Sequence, residues 1–213
     1  MKKRSIFLIT FLSVSICSFS QYSRSEATTI SGLFQVDSSE FFVFGKLIDK
    51  STKTKYGSST KVYNGYTNAY VYNSKTKKIL SMFPKGTTLI FPFYDNFYNM
   101  VYTYGQALRQ SVVFKNYIIF LVQDVDLNGD GILDDDDPVS IYISKSNGES
   151  LTKVSSNELN VISWSFARDT NTILFTAQKD SNNDKKFINE DQLLYQVDLQ
   201  NDISKIKVTQ VIF

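Results

Sequence analysis

Tyr117-Ile-Ile-Phe-Leu-Val122 leads into Asp126-Leu-Asn128-Gly-Asp130-Gly-Ile-Leu-Asp134-Asp-Asp-Asp137, and the chain leaves through Val139-Ser-Ile-Tyr-Ile143. The flanking segments are short, β-branched and aromatic, which is the composition of strands. Carboxylates at alternate positions between them are what a hard cation needs when it gathers several oxygens at once. Without a cation, the seven aspartates between Asp124 and Asp137 repel one another. A degenerate copy follows: Thr172-Ile-Leu-Phe-Thr176, an acidic loop from Asp180 to Asp191, then Leu193-Leu-Tyr-Gln-Val197. Asp126, Asn128, Asp130, Leu133 and Asp137 match Asp180, Asn182, Asp184, Phe187 and Asp191 at a constant offset of 54, and Tyr142 matches Tyr195 after a one-residue slip.

An earlier unit keeps the strands without the acids. It runs Phe41 to Asp49, Ala69 to Tyr72 and Lys78 to Phe83, and its loop from Lys50 to Asn68 contains no carboxylate. In all three units a third strand follows a turn; in the later two it is Ser150 to Val154 and Ile203 to Val208. The units cover residues 30–83, 110–160 and 161–213, with 84–109 as an aromatic insertion that reads as a hairpin of Thr88 to Phe93 against Asn99 to Tyr104. No amphipathic helix is legible after the N-terminal segment, so the chain reads as all-β. A repeat near 50 residues with several strands per copy predicts propeller-like blades of antiparallel sheet. Propellers close with about four to eight blades. Three units therefore predict an incomplete or small β-propeller: an open stack, a six-bladed ring made by a homodimer, or a four-bladed ring using residues 84–116.

One segment carries a family resemblance. Trp164-Ser-Phe-Ala-Arg-Asp-Thr-Asn-Thr-Ile-Leu-Phe-Thr-Ala177 resembles the repeat of TolB-like β-propellers, in which a Trp/Phe-Ser-Pro-Asp-Gly-like turn feeds an apolar strand. Ala167 and Thr170-Asn171 replace the proline and glycine, and Gln110 to Phe120 is a shorter version. The resemblance spans residues 110–208 well and 30–83 loosely. It implies blades with an Asp-x-Asn-x-Asp insertion between the second and third strands, and loops presented to a protein partner.

Set against the EF-hand loop, Asp126, Asn128 and Asp130 take positions 1, 3 and 5, Gly131 makes the turn, Ile132 offers its carbonyl, and Asp134 and Asp137 take positions 9 and 12. Leu133 sits where an apolar residue anchors the loop. A register starting at Asp124 puts Ile132 at a ligand position and fits worse. In the copy, Asp180, Asn182, Asp184, Lys186 and Asp191 hold the corresponding places, but Lys185 replaces the turn glycine and Ile188 replaces the ninth ligand. Strands flank both loops, so the expected site is a structural strand–loop–strand calcium loop without the helix opening of a sensor. A solvated acidic loop is the competing reading, and magnesium, with its stricter octahedral geometry, suits the loop less well.

Lys2, Lys3 and Arg4 precede an apolar stretch from Ile6 to Val14 and small residues at Ser18-Phe19-Ser20, which reads as a signal peptide of residues 1–20 cleaved before Gln21, with a single domain over 21–213. Val14-Ser-Ile-Cys17 is similar to the lipid-attachment motif of bacterial lipoproteins, apart from Ile16 where a small residue is usual, so a lipid anchor at Cys17 stands as a second reading. Removing residues 1–20 leaves 20 basic against 21 acidic residues, a net charge near −1, so nothing favours a nucleic-acid partner. The domain has no cystine, and stability must come from a core or an ion.

The chain has no histidine, which excludes Ser-His-Asp and Cys-His catalysis and histidine-ligated zinc. Arg168 and Asp169 read as turn residues, and Trp164 as a packing residue. The basic loop from Lys46 to Lys61, with five lysines, reads as solvated. The expected function is therefore non-enzymatic: an exported, calcium-stabilised binding or scaffolding protein of the bacterial envelope with a protein or glycan partner. The alternatives are a carboxylate-based glycan hydrolase or lyase, and a surface-recognition protein acting through the aromatic segment Phe91 to Tyr98.

Overall fold

A computed structural model describes residues 29–36, 39–48, 65–83, 88–94, 111–113, 116–167, 170–187, 192–199 and 203–212. The N-terminal segment with Cys17, most of the lysine loop, Arg168, Asp169, Ile188 and Asp191 lie outside these residues.

The described chain is all-β, organised as two sheets. Three four-stranded antiparallel meanders follow one another. The first comprises β1 (Phe34–Gln35), β2 (Phe41–Leu47), β3 (Tyr66–Asn73) and β4 (Lys78–Ser81). After β5 (Leu89–Ile90) and β6 (Phe93–Tyr94), the second comprises β7 (Ser111–Val113), β8 (Tyr117–Gln123), β9 (Ser140–Lys145) and β10 (Thr152–Lys153). The third is a separate sheet of β11 (Leu159–Ala167), β12 (Thr172–Lys179), β13 (Gln192–Asp198) and β14 (Lys207–Val211). The expected strand at Ile203 to Val208 is corrected: Ile203–Lys205 is a 3-10 turn, with Ile203 buried, and β14 starts two residues later.

Each meander pairs a phenylalanine with a tyrosine in register across its second and third strands: Phe44 with Tyr70, Phe120 with Tyr142, and Phe175 with Tyr195. Phe44–Tyr70 and Phe175–Tyr195 are stacked, with centroids 5.4 and 5.0 Å apart. Cross-strand aromatic pairs of this kind pin register. The leading strand of each unit is missing from the sequence-based assignment. β11 pairs along its whole length with β12 and carries the buried Trp164 in its interior, so that residue is part of a strand and not of a turn.

All seven residues of β8 are buried, which explains their unbroken apolar run. Successive side chains of a strand point to opposite faces. Ile118, Phe120 and Val122 pack with the first meander, in a core with Val43, Tyr66, Val71 and Phe93. Tyr117, Ile119 and Leu121 face the other way and pack with Trp164, Ile173, Phe175 and Val197 of the third. One strand thus serves two cores.

Of the hairpin expected within 84–109, the half from Asn99 to Tyr104 lies outside the described residues, and the half from Thr88 to Phe93 contributes β5 and the start of β6. β5 pairs with both β3 and β8, joining the first two meanders into one ten-stranded sheet, and β6 runs parallel to β7. Phe91 and Phe93 are buried, which removes this half of the aromatic segment from the surface; residues 95–98 lie outside the described part.

Candidate functional site

The first acidic loop leaves β8 at Gln123 and enters β9 at Ser140. Gln123, fully buried, closes its neck: the side-chain amide donates to the carbonyls of Asp134 (2.5 Å) and Asp137 (3.0 Å). Asp124 is not part of the loop proper. Its carboxylate accepts from the Tyr142 hydroxyl (2.6 Å) and pairs with Lys153 (3.0 Å), whose ammonium also sits 5.5 Å from the Tyr142 ring centroid. Burial, reinforced by the Asp124 contact, pushes the Tyr142 phenol well above its ordinary range.

At the exposed tip, Asp126 gathers three backbone amides. Its Oδ1 accepts from Gly129 (2.7 Å) and Asp130 (3.1 Å), and its Oδ2 from Gly131 (2.7 Å). The Asp130 amide also donates to Asn128 (2.9 Å), and the Ile132 amide donates to Asp130 (2.8 Å). Gly129 and Gly131 have φ of +78° and +83°, and a Cβ at either would meet nothing within 4 Å. Conformation, not space, is what these glycines supply. Leu133 anchors the loop, buried against Leu89 and Ile48. Asp134 is half-buried and accepts the Asp136 amide.

Asp137 differs from the other acids. It is fully buried and spends both oxygens on the backbone, accepting from Leu127 (2.9 Å) and Asp134 (3.1 Å). Burial pushes its carboxyl above the ordinary range, Asp126 and Asp134 add to the shift through repulsion, and the two amides oppose it.

The second loop repeats most of this stitching, lacking only a counterpart among the described residues to the Gly129 amide's bond to Asp126. Asp180 accepts from the amides of Asp184 and Lys185 (both 3.1 Å), Asn182 from Asp184 (2.9 Å), and Asp184 from Lys186 (2.9 Å). Asn128 donates to Asp130 (3.3 Å) as Asn182 does to Asp184 (3.2 Å). Asn183 and Lys185 take φ of +61° and +62° at the places of Gly129 and Gly131, and Phe187 is buried as Leu133 is. Lys185 therefore adopts the turn without a glycine, at the steric cost of a left-handed L-residue, about 1–2 kcal/mol. Lys185→Gly is expected to raise the thermal midpoint, by a net stabilisation of up to about 1 kcal/mol once the extra chain entropy of glycine is set against the relief. A calorimetric scan showing a lower midpoint would contradict this account.

All the described candidate ligands hold to their loops, namely Asp126, Asn128, Asp130, Ile132, Asp134 and Asp137 in the first, and Asp180, Asn182, Asp184 and Lys186 in the second. Among the described residues, no group of three or more acidic side chains is assembled as a ready metal site. The acids are turned toward backbone amides. A carboxylate oxygen that accepts one amide keeps a second lone pair. This leaves capacity on Asp126 Oδ2, Asn128 Oδ1 and both oxygens of Asp137. The donor set is all oxygen, as calcium requires, and Asp137 lies close enough to Asp126 and Asp134 to feel their charge.

Between the two loops lies an open cleft of about 680 Å3. Asn128, Asp135 and Asp136 form one wall, Asp184, Lys185 and Lys186 the other, and Asn160 and Gln178 sit on the floor. These two floor residues are absent from the sequence reading. The only signal for Asn160 is its place between Leu159 and Val161, which period-2 alternation turns to the opposite face.

No family model matches the chain, and no curated protein matches it. Among solved structures it is similar to a tryptophan-to-alanine mutant of the Synechocystis apocarotenoid oxygenase, with TM-score 0.36 and 12% identity over 86% of this chain and 38% of that one. The cobalt-substituted Synechocystis enzyme gives 0.35 and 12% over 86% and 38%, and a threonine-to-alanine mutant gives 0.33 and 13% over 83% and 34%. The chain thus spans about 38% of the length of the first of these structures.

Proposed function

We propose that the chain is an exported binding or scaffolding protein of the bacterial envelope, built from three propeller-type blades of TolB-like character and stabilised by calcium in its acidic loops. The observation that carries this reading is the matched stitching of the two loops: the same residue types accept the same amides around the same left-handed turns. A loop that were merely solvated has no need of that repetition. In the first loop Asp126, Asn128, Asp130, Asp134 and Asp137 hold the ion with the Ile132 carbonyl; in the second Asp180, Asn182, Asp184 and Asp191 do so with the Lys186 carbonyl. The ion offsets the repulsion within each loop. The four-stranded meanders are the blades, and pairing with a second copy completes the ring. Export follows from the segment at residues 1–20, with Cys17 as a lipid anchor or removed with that segment.

Calcium at a hundredfold excess over its Kd adds about 2.7 kcal/mol, worth a rise of about 5–10 °C in the thermal midpoint of a domain this size. Melting the mature protein in calcium and in chelator tests the reading. Asp126→Ala with Asp130→Ala is expected to abolish the difference, and equal midpoints for the unaltered protein would refute the ion.

A further inference from the structure

The floor of the cleft carries two side-chain amides, those of Asn160 and Gln178. Asn160 is only 6% exposed, and its Oδ1 accepts the Val139 amide at 3.0 Å. Among the described residues only its Oδ1 takes part in a hydrogen bond, which leaves the two N–H groups of Nδ2 to a ligand or solvent at the cleft. Gln178 is its register partner across β11 and β12, half-buried, and its side-chain amide also lines the cleft. Side chains of register partners lie about 5 Å apart on one face. Ile162, at the β-bulge of β11, lines the same cleft and adds apolar surface beside the amides.

The walls narrow the choice of occupant. Asp135 and Asp136 stand on one side, and Lys185 and Lys186 on the other, all exposed. A ligand of either charge is drawn to one wall and repelled from the other, so the nearly balanced pair favours a neutral one. A hydroxyl both donates and accepts, so a vicinal diol can engage an amide and a neighbouring carboxylate together. The cleft volume lies within the usual range for small-molecule sites.

We propose that this cleft binds a neutral, hydroxyl-rich saccharide segment, held by Asn160 and Gln178 from below and by the two acidic loops at its sides. This rests on the reading of the chain as a binding module and names the class of its ligand. Calcium serves the site indirectly, by fixing the walls.

The test uses the full mature chain in calcium, titrated calorimetrically with maltohexaose, cellohexaose and chitohexaose. Saturable binding of at least one is expected. Asn160→Asp keeps the acceptor for Val139 but removes the donor, and Gln178→Ala removes the second amide from the cleft floor. Each is expected to weaken binding about tenfold, the effect of one lost hydrogen-bonding group, with the calcium-dependent melting gain intact. No binding of any of the three, or binding that both variants leave unchanged, overturns the proposal. So does binding of short neutral peptides through Asn160 and Gln178 with no saccharide bound. The melting gain, read on the same samples, shows whether the calcium reading falls with it.

Discussion

Phe120→Ala is expected to cost about 3–5 kcal/mol, the range for truncating a fully buried aromatic, measured as a fall in the urea midpoint at unchanged slope. Phe120 has no exposed surface and sits at the meeting point of the first two meanders. Its ring lies edge-on to Phe83 at 5.4 Å and to Phe93 at 5.7 Å, and it stands in register with Tyr142. Alanine removes all three contacts and leaves a cavity that β8 cannot close by shifting, because its alternate residues are held in the other core. Ile119→Ala, facing that other core, should cost about 2–5 kcal/mol by the same reasoning. A loss below 1 kcal/mol at Phe120 would mean that β8 is not the shared strand described above.

Asp137→Ala is expected to remove about 2–5 kcal/mol in calcium and distinctly less in chelator, read as the difference between two urea curves. The main term is the pair of amides, Leu127 and Asp134, that lose their acceptor, at about 1–3 kcal/mol for each buried donor left unpaired. The difference between conditions comes from the charge. Burial raises the folded-state pKa of Asp137 above its unfolded value, so the ionised group penalises folding at every pH above the folded pKa. Alanine relieves that penalty only when no cation already offsets it. For the same reason, the calcium-free protein should lose this part of its instability as the pH falls through the raised pKa, a direction opposite to that of a salt-bridged carboxylate. Equal losses in calcium and in chelator would detach Asp137 from the ion.

Much of the architecture was legible in local pattern. The strands β2, β3, β8, β9, β12 and β13 follow from β-branched and aromatic runs bounded by turn residues. The two loops follow from carboxylate spacing, because oxygen donors at fixed intervals need a turn residue and an apolar anchor at fixed places. Even Lys185, which breaks the glycine rule, adopts the φ that its position dictates. The leading strands were less legible. β1 and β7 are only two and three residues long, too short to show a period, and β11 hides Trp164 in a segment whose turn-like resemblance masks its pairing.

What the sequence by itself determined is the all-β class, the threefold repetition and the place of the acidic loops between strands, since each depends on residues close together in the chain. Only the tertiary structure decided that β8 is covered on both faces, that β5 fuses two meanders into one sheet, that Asp137 faces inward, and that Asn160 and Gln178 share the floor of a cleft. An alternating strand states which residues lie on the same face, but not what will cover that face. That is settled by contacts between residues far apart in the chain, and those exist only after the sheets have packed.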